Sequence, residues 1–261
     1  MCFTELNLTL VVERKREMDG SSILSFHDLQ MSAEKGDCFV SNETKLLNVK
    51  SANNFIVKKA PPTIRYIPDF ISPEEEQFLL HNIYKVPKPK WHNLLNRRLQ
   101  DWGGALCKDY LIQDSDIPPW LNAVIEQLVA IDDTFPPAHR PNHVLINEYL
   151  PGQGIMAHTD GPAFYPLVAT ISLNSDVLID YYKPFDPEKS EARERRYLGS
   201  MLLKRRSLVL MSDDIYTYWH EIADRLVDVI TDSVFNLEHV DETVGEVISR
   251  TCRSVKCKQS S

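Results

Sequence analysis

The side chains best suited to chemistry fall in residues 142–160. His158 and Asp160 stand two apart, and on extended backbone alternate residues point the same way, so an imidazole nitrogen and a carboxylate oxygen fall together. That pair supplies two of the three ligands of a two-His-one-carboxylate facial triad, which leaves positions open on a non-haem Fe(II) ion. The third ligand must come from a distant segment. His220 is the expected one, because it follows a strand-like run, Ser207–Met211, and a turn at Ser212–Asp214. The competing imidazoles suit the role less well: His143 opens the strand itself, His139 lies in a Pro-rich loop, and His239 sits in an acidic stretch. A His-x-Asp triplet arises by chance in many proteins, and a lone histidine is more often a hydrogen-bonded core or surface residue. The elements around the triplet therefore have to carry the assignment.

Several elements are legible. Residues 143–149 alternate like a strand, with Leu145, Asn147 and Tyr149 on one parity and Val144 and Ile146 on the other. Pro151-Gly152 ends that strand and Gly154 adds a second flexible point. Upstream, Thr63–Pro68 predicts a strand. Ser72 predicts a helix N-cap, with Pro73 in the first helical position and Glu74, Glu75 and Glu76 in the first turn, where carboxylates favour the helix dipole. This helix should run to about Lys85, where Pro87 and Pro89 stop it. A second helix is expected from Pro118 to about Ile131. Between them, residues 88–104 interleave basic and aromatic side chains in a loop-like segment. Downstream, Leu167–Leu173 and Val177–Tyr182 read as strands joined by a hairpin at Asn174–Asp176, and Met201–Leu203 and Ser207–Met211 as strands joined around Lys204–Arg206. An acidic insertion, 224–245, precedes a last strand expected over Glu246–Lys256. Two early helices followed by many short strands predict an α+β, mainly β fold: a double-stranded β-helix, or jelly-roll, with the helices packed on one face.

Composition narrows the function classes. The chain has 261 residues, 43% apolar and 25% charged, as in ordinary globular proteins, and a single large core is expected. No apolar run approaches the ~20 residues of a membrane helix. The apolar patch Leu6–Val12 is short and flanked by charge, unlike a secretory signal. Five scattered cysteines argue against a disulfide framework and for a reducing compartment, cytoplasm and nucleus. A net charge of −8 means that any contact with nucleic acid must rest on a local basic patch. Residues 1–54 lack periodicity and are expected to form a poorly ordered extension, dispensable for folding, before a domain over 55–257 and a tail over 258–261. The chain is expected to be a monomer.

Asn147-x-Tyr149, His158-x-Asp160, His220 and a final strand carrying Arg253 together resemble the AlkB family of Fe(II)/2-oxoglutarate-dependent dioxygenases. Residues 61–73, Pro87–Trp91, Leu99–Gly104 and Pro118–Leu121 extend the likeness toward the sixth AlkB-homologue subfamily, over roughly residues 55–255. The resemblance implies iron held by His158, Asp160 and His220, with 2-oxoglutarate and O2 as cosubstrates. It implies that Asn147, Tyr149 and Arg253 contact 2-oxoglutarate, and that residues 88–104, with Trp91, Arg98 and Trp102, form a lid over the substrate. Oxidative demethylation or hydroxylation of alkylated DNA or RNA, or of a protein, would follow. The family carries two arginines six apart on its last strand, and here the first position is Val247. Val247, Ser249, Thr251 and Arg253 share one parity and are expected to face inward, with Arg250 outward. On that reading cosubstrate binding is impaired, and the alternative function is a catalytically silent jelly-roll binding module for nucleic acid or protein.

Overall fold

A computed structural model of the chain describes residues 7–15, 49–61, 63–103, 105–107, 110–112, 116–162, 164–186 and 192–250. In chain order its elements begin with β1 (Asn7–Lys15), β2 (Ile64–Ile67), α1 (Pro73–Lys85), β3 (His92–Asn93), β4 (Arg98–Trp102), β5 (Ala105–Cys107), β6 (Tyr110–Ile112) and α2 (Pro119–Val129). They continue with β7 (His143–Tyr149), β8 (Ile155–His158), β9 (Phe164–Leu173), β10 (Val177–Tyr182), the one-turn helix α3 (Arg193–Arg196), β11 (Tyr197–Leu203), β12 (Leu208–Ser212), β13 (Trp219–Ile222), β14 (Val227–Val229) and β15 (Val247–Ser249).

Two antiparallel sheets form the jelly-roll. The larger has seven strands in the order β2-β12-β9-β1-β7-β4-β3, and the smaller has four, β11-β10-β13-β8. Parity decides which way each side chain of the larger sheet points. Val144, Ile146, Ala169, Ile171 and Leu210 meet α1 and α2 through Leu79, Ile83, Leu121, Ile125 and Leu128 in one apolar core. The opposite parity, including Tyr149, Val168, Val209 and Met211, meets Ile179, Tyr181, Met201 and Leu203 of the smaller sheet in a second core. The helices therefore cover one face of the larger sheet, as expected, and the smaller sheet covers the other.

Local chemistry explains the helix starts. Ser72 accepts from the Glu75 backbone N–H while the Glu75 side chain accepts from the Ser72 N–H, a reciprocal capping box with Pro73 in the first turn. Glu76, one turn in, is fully buried. It accepts from Arg205 Nε at 2.7 Å and from the Asn174 backbone at 2.7 Å, tying α1 to two sheet corners.

Those corners correct the expected connections. The turn at Asn174–Asp176 does not close a hairpin, because β9 pairs with β1 and β12 while β10 pairs with β11 and β13. Likewise the turn at Lys204–Arg206 carries the chain from β11 in the smaller sheet to β12 in the larger. Asn174 (φ 71°) and Arg206 (φ 68°) take left-handed backbone to turn these corners. Period-2 patterning cannot tell a hairpin from a corner, since both strands are buried in either case.

The N-terminal boundary is also corrected. Part of the stretch read as a dispensable extension is β1, which lies inside the larger sheet between β7 and β9. Thr9 stands opposite Asn147 on one side and Ser172 on the other. Leu10 is fully buried in the helix-side core. Ala52 is fully buried as well, and Ser51 bridges to Asp132. The run Leu8–Val12 lacks polar alternation because β1, like its neighbours, is covered on both faces. Arg253 and the 258–261 tail lie outside the described residues.

The consequence is measurable. Leu10→Ala is expected to destabilise the protein by about 2–5 kcal/mol, the usual cost of a core leucine truncation. A chain starting at Phe55 should lose the cooperative transition altogether. Equilibrium denaturation checks both, and a Leu10→Ala midpoint equal to that of the parent chain would remove β1 from the sheet.

Candidate metal centre and its cavity

Register positions the two histidines. β13 runs antiparallel to β8 with His220 directly opposite His158, so both imidazoles leave the smaller sheet on the same side. Their ring centroids are 4.5 Å apart. Asp160 follows two residues beyond His158, and its Oδ1 lies 3.9 Å from His158 Nε2 and 3.7 Å from His220 Nε2. Ligand atoms of all three residues fall within 4.8 Å of one another. Gly154 permits the close approach of β8 to β13: a Cβ there would overlap the Ile222 carbonyl.

The electrostatics suit a cation. His158 Nδ1 is 2.8 Å from the Met156 carbonyl, which can only accept. Nδ1 therefore carries the proton, and Nε2 presents its lone pair toward Asp160. Burial first, and the neighbouring His220 second, hold His158 below the ordinary histidine pKa, although Asp160 pulls the other way. Asp160 Oδ2 is buried without a hydrogen-bond partner. Elsewhere buried carboxylates have arginines: Glu76 with Arg205, Glu148 with Arg98, Asp180 with Arg225, Glu221 with Arg193 and Asp228 with Arg250. Asp160 has two imidazoles and an unused oxygen instead. A buried charge left that way is costly unless a cation joins it, so the donor set fits a divalent ion of the non-haem iron type.

These residues open into a cavity of about 290 Å³ between the sheets. Asn147, Tyr149 and Leu145 line it from β7, as their shared parity predicts, and Thr9 and Val11 line it from β1. Burial pushes the Tyr149 phenol up to about 12, so it stays protonated and able to donate.

Three expected lid residues point elsewhere. Arg98 forms an ion pair with Glu148, with Nη2 2.9 Å from Oε1, on the helix side of β4. Trp91 packs on Tyr84 and under the Arg98 guanidinium, 4.2 Å from the ring centre. Trp102 packs edge-on against Trp120. The reason is parity: on β4, Leu99 stands opposite Asn147 whereas Arg98 stands opposite Glu148. Arg97, one residue earlier, is the basic side chain that reaches the cavity, and its Nε donates to Asn147 Oδ1 at 3.1 Å. No local signal chose Arg97 over Arg98, because the register of β4 against the distant β7 decides it. Thr9 and Val11 had none, because nothing local says which strand β1 will pair with.

The C-terminal register is corrected too. Among the described residues β15 pairs with β14 alone, outside the two main sheets, and Val247 is 55% exposed. Ile248 and Arg250 take the inward positions. Arg250 is engaged by Asp228, with Nε 2.7 Å from Oδ2 and Nη2 2.7 Å from Oδ1, and by the Ala223 carbonyl. Arg250→Ala is accordingly expected to cost about 3–5 kcal/mol of stability, since it leaves Asp228 buried with one partner fewer. Val247→Arg, on the surface, should change neither stability nor ligand binding. Thermal melts of the two variants check this, and a silent Arg250→Ala would refute the pairing.

No family model matches the chain. A protein of Danio rerio described as a probable RNA/DNA demethylase, ALKBH6, is 42% identical over 209 residues, covering 78% of this chain and 88% of that protein. An uncharacterized mimivirus protein, L905, is 29% identical over 199 residues. The ALKBH8 tRNA methyltransferase of Xenopus tropicalis is 27% identical over 179 residues, a match spanning 26% of that longer protein. A solved structure, that of OsALKBH1, aligns with a TM-score of 0.48 at 13% identity, covering 72% of this chain and 96% of that one. With 42% identity sustained over most of both chains, this protein belongs to the AlkB-homologue family of Fe(II)/2-oxoglutarate-dependent dioxygenases, on the ALKBH6 branch.

Proposed function

We propose that the chain is a 2-oxoglutarate-dependent dioxygenase that removes methyl groups from nucleic acid, with His158, Asp160 and His220 holding Fe(II). The observation that carries this reading is Asp160, whose unpartnered carboxylate oxygen is buried between two imidazoles at the wall of a cavity. Bound there, iron would supply the oxidant for a substrate C–H bond by coupling O2 to decarboxylation of the 2-oxo acid. The remaining work belongs to the protein. Asn147 and Tyr149 face the triad across the cavity and offer an amide and a phenol O–H to the cosubstrate. Ile155, Ile179 and Ile222 keep the walls apolar and limit water around the reacting atoms. A nucleic-acid substrate is supported by the relative described as an RNA/DNA demethylase and by the basic residues Lys88, Lys90, His92 and Arg97 of the segment that leads into β4, of which Arg97 lines the cavity. A single methylated base is the unit the cavity would take, so the base must leave the stack. The proposed compartment is cytoplasm and nucleus, on the cysteine pattern.

A second reading is a jelly-roll that keeps the metal and binds nucleic acid without turnover. It is favoured by one observation: among the described residues of the C-terminal segment, no arginine enters the cavity, because Arg250 is committed to Asp228. Incubation with Fe(II), 2-oxoglutarate and a methylated oligonucleotide separates the two. The expected outcome is succinate and formaldehyde in equal amounts, with demethylated product seen by mass spectrometry. Asp160→Ala should lose both activity and bound metal. Oligonucleotide binding without succinate would leave the silent module standing.

A further inference from the structure

Arg97 is the cation of the cavity that no described carboxylate claims. It sits just before β4, where the hairpin from β3 is closed by the Leu94 N–H donating to the Arg97 carbonyl. The same loop is anchored across the cavity, because Asn96 Nδ2 donates to Asp224 Oδ2 at 2.7 Å, beyond β13. The side chain is fixed at one end, its Nε spent on Asn147 Oδ1. Nη1 and Nη2 have no acceptor among the described residues. The other arginines near the site are used: Arg98 by Glu148, Arg193 by Glu221, Arg225 by Asp180 and Asp228, Arg250 by Asp228.

A partly buried guanidinium with a fixed Nε and two free Nη groups is a fork awaiting a planar anion. The neighbours select which anion. Asn147 and Tyr149 flank it inside the same cavity as the triad, and the walls are apolar. A small dicarboxylate with its 2-oxo acid end at the triad would present its second carboxylate within this enclosure, whereas a phosphate of a polynucleotide stays at the surface with its backbone. We infer that Arg97 binds the distal carboxylate of the 2-oxo-diacid cosubstrate, with Asn147 orienting the guanidinium. The assignment rests on the function proposed above. It places the anion-binding arginine on the β3–β4 loop rather than on the last strand.

The test compares two acids on Mn(II)-loaded protein under anaerobic conditions, by titration calorimetry. 2-Oxoglutarate carries the distal carboxylate and 2-oxobutyrate lacks it. The parent chain is expected to prefer 2-oxoglutarate by at least about tenfold, equivalent to about 1.4 kcal/mol. Arg97→Ala should lose that preference and bind the two acids alike, with 2-oxobutyrate affinity and Mn(II) content unchanged. Arg97→Lys should keep part of the preference, since a point charge replaces the fork. Arg250→Ala should keep all of it at a lower melting temperature. If Arg97→Ala discriminates as well as the parent chain, or if Arg253→Ala is the variant that loses discrimination, the assignment fails and the proposed function survives. An Arg97→Ala variant impaired only for a methylated oligonucleotide would likewise overturn it in favour of a phosphate contact. A parent chain that binds neither acid overturns both.

Discussion

The candidate centre depends on the antiparallel register of β8 with β13. His158 and His220 reach the same space only because they are directly opposite in that pair. Side chains alternate between faces with a period of two, so a slip of one residue would turn an imidazole to the outside of the sheet. The register is held from both ends. Gly154 lets the chain enter β8 under the Ile222 carbonyl, and β13 is pinned on its other side by β10, where Tyr181 stands opposite His220. The smaller sheet thus presents both histidines as a rigid pair, and Asp160 completes the set from the extended residues that follow.

The larger sheet supplies the opposite wall, and β1 is part of it. With β1 between β7 and β9, Thr9 and Val11 join Asn147 and Thr170 in facing the centre. A strand drawn from the far end of the sequence ties sheet integrity and cavity shape to the same backbone hydrogen bonds. The helices stiffen this wall from behind. Their anchor is ionic as well as apolar, since Glu76 of α1 accepts from Arg205 at one sheet corner and from the Asn174 backbone at another. Buried ion pairs of this kind fix geometry more than they add stability.

Charge is distributed with a purpose that the net value of −8 conceals. Deep carboxylates are matched by arginines drawn from other elements, which satisfies them and locks corners and edges in place. Two groups break the pattern. Asp160 is a partly buried acid beside imidazoles rather than an arginine, and Arg97 is a half-buried base with no acid against it among the described residues. Both lie in the same cavity. An enclosure with an unmatched acid at one point and an unmatched base at another suits a metal ion together with an anionic small molecule.

Sequence by itself determined much of this. Chain-local signals fixed α1 through its Ser72 capping box, α2 through Pro119, the inward parity of Leu145, Asn147 and Tyr149, and the pairing of His158 with Asp160, because each depends on neighbours within a few residues. The combination of spaced motifs also pointed to the jelly-roll and its family. What only the tertiary structure decided are pairings between distant segments. Nothing in Leu8–Val12 specifies β7 and β9 as partners, since a strand buried on both faces carries no alternation to read. Nothing in Asn174–Asp176 says that the chain changes sheets there. The same holds at the C-terminal end: whether Val247 or Ile248 faces inward depends on β14 and on Asp228, about twenty residues away, which claims Arg250. The choice of Arg97 over Arg98 follows from which of them stands across from Asn147's side of β7, a matter of register between strands about fifty residues apart.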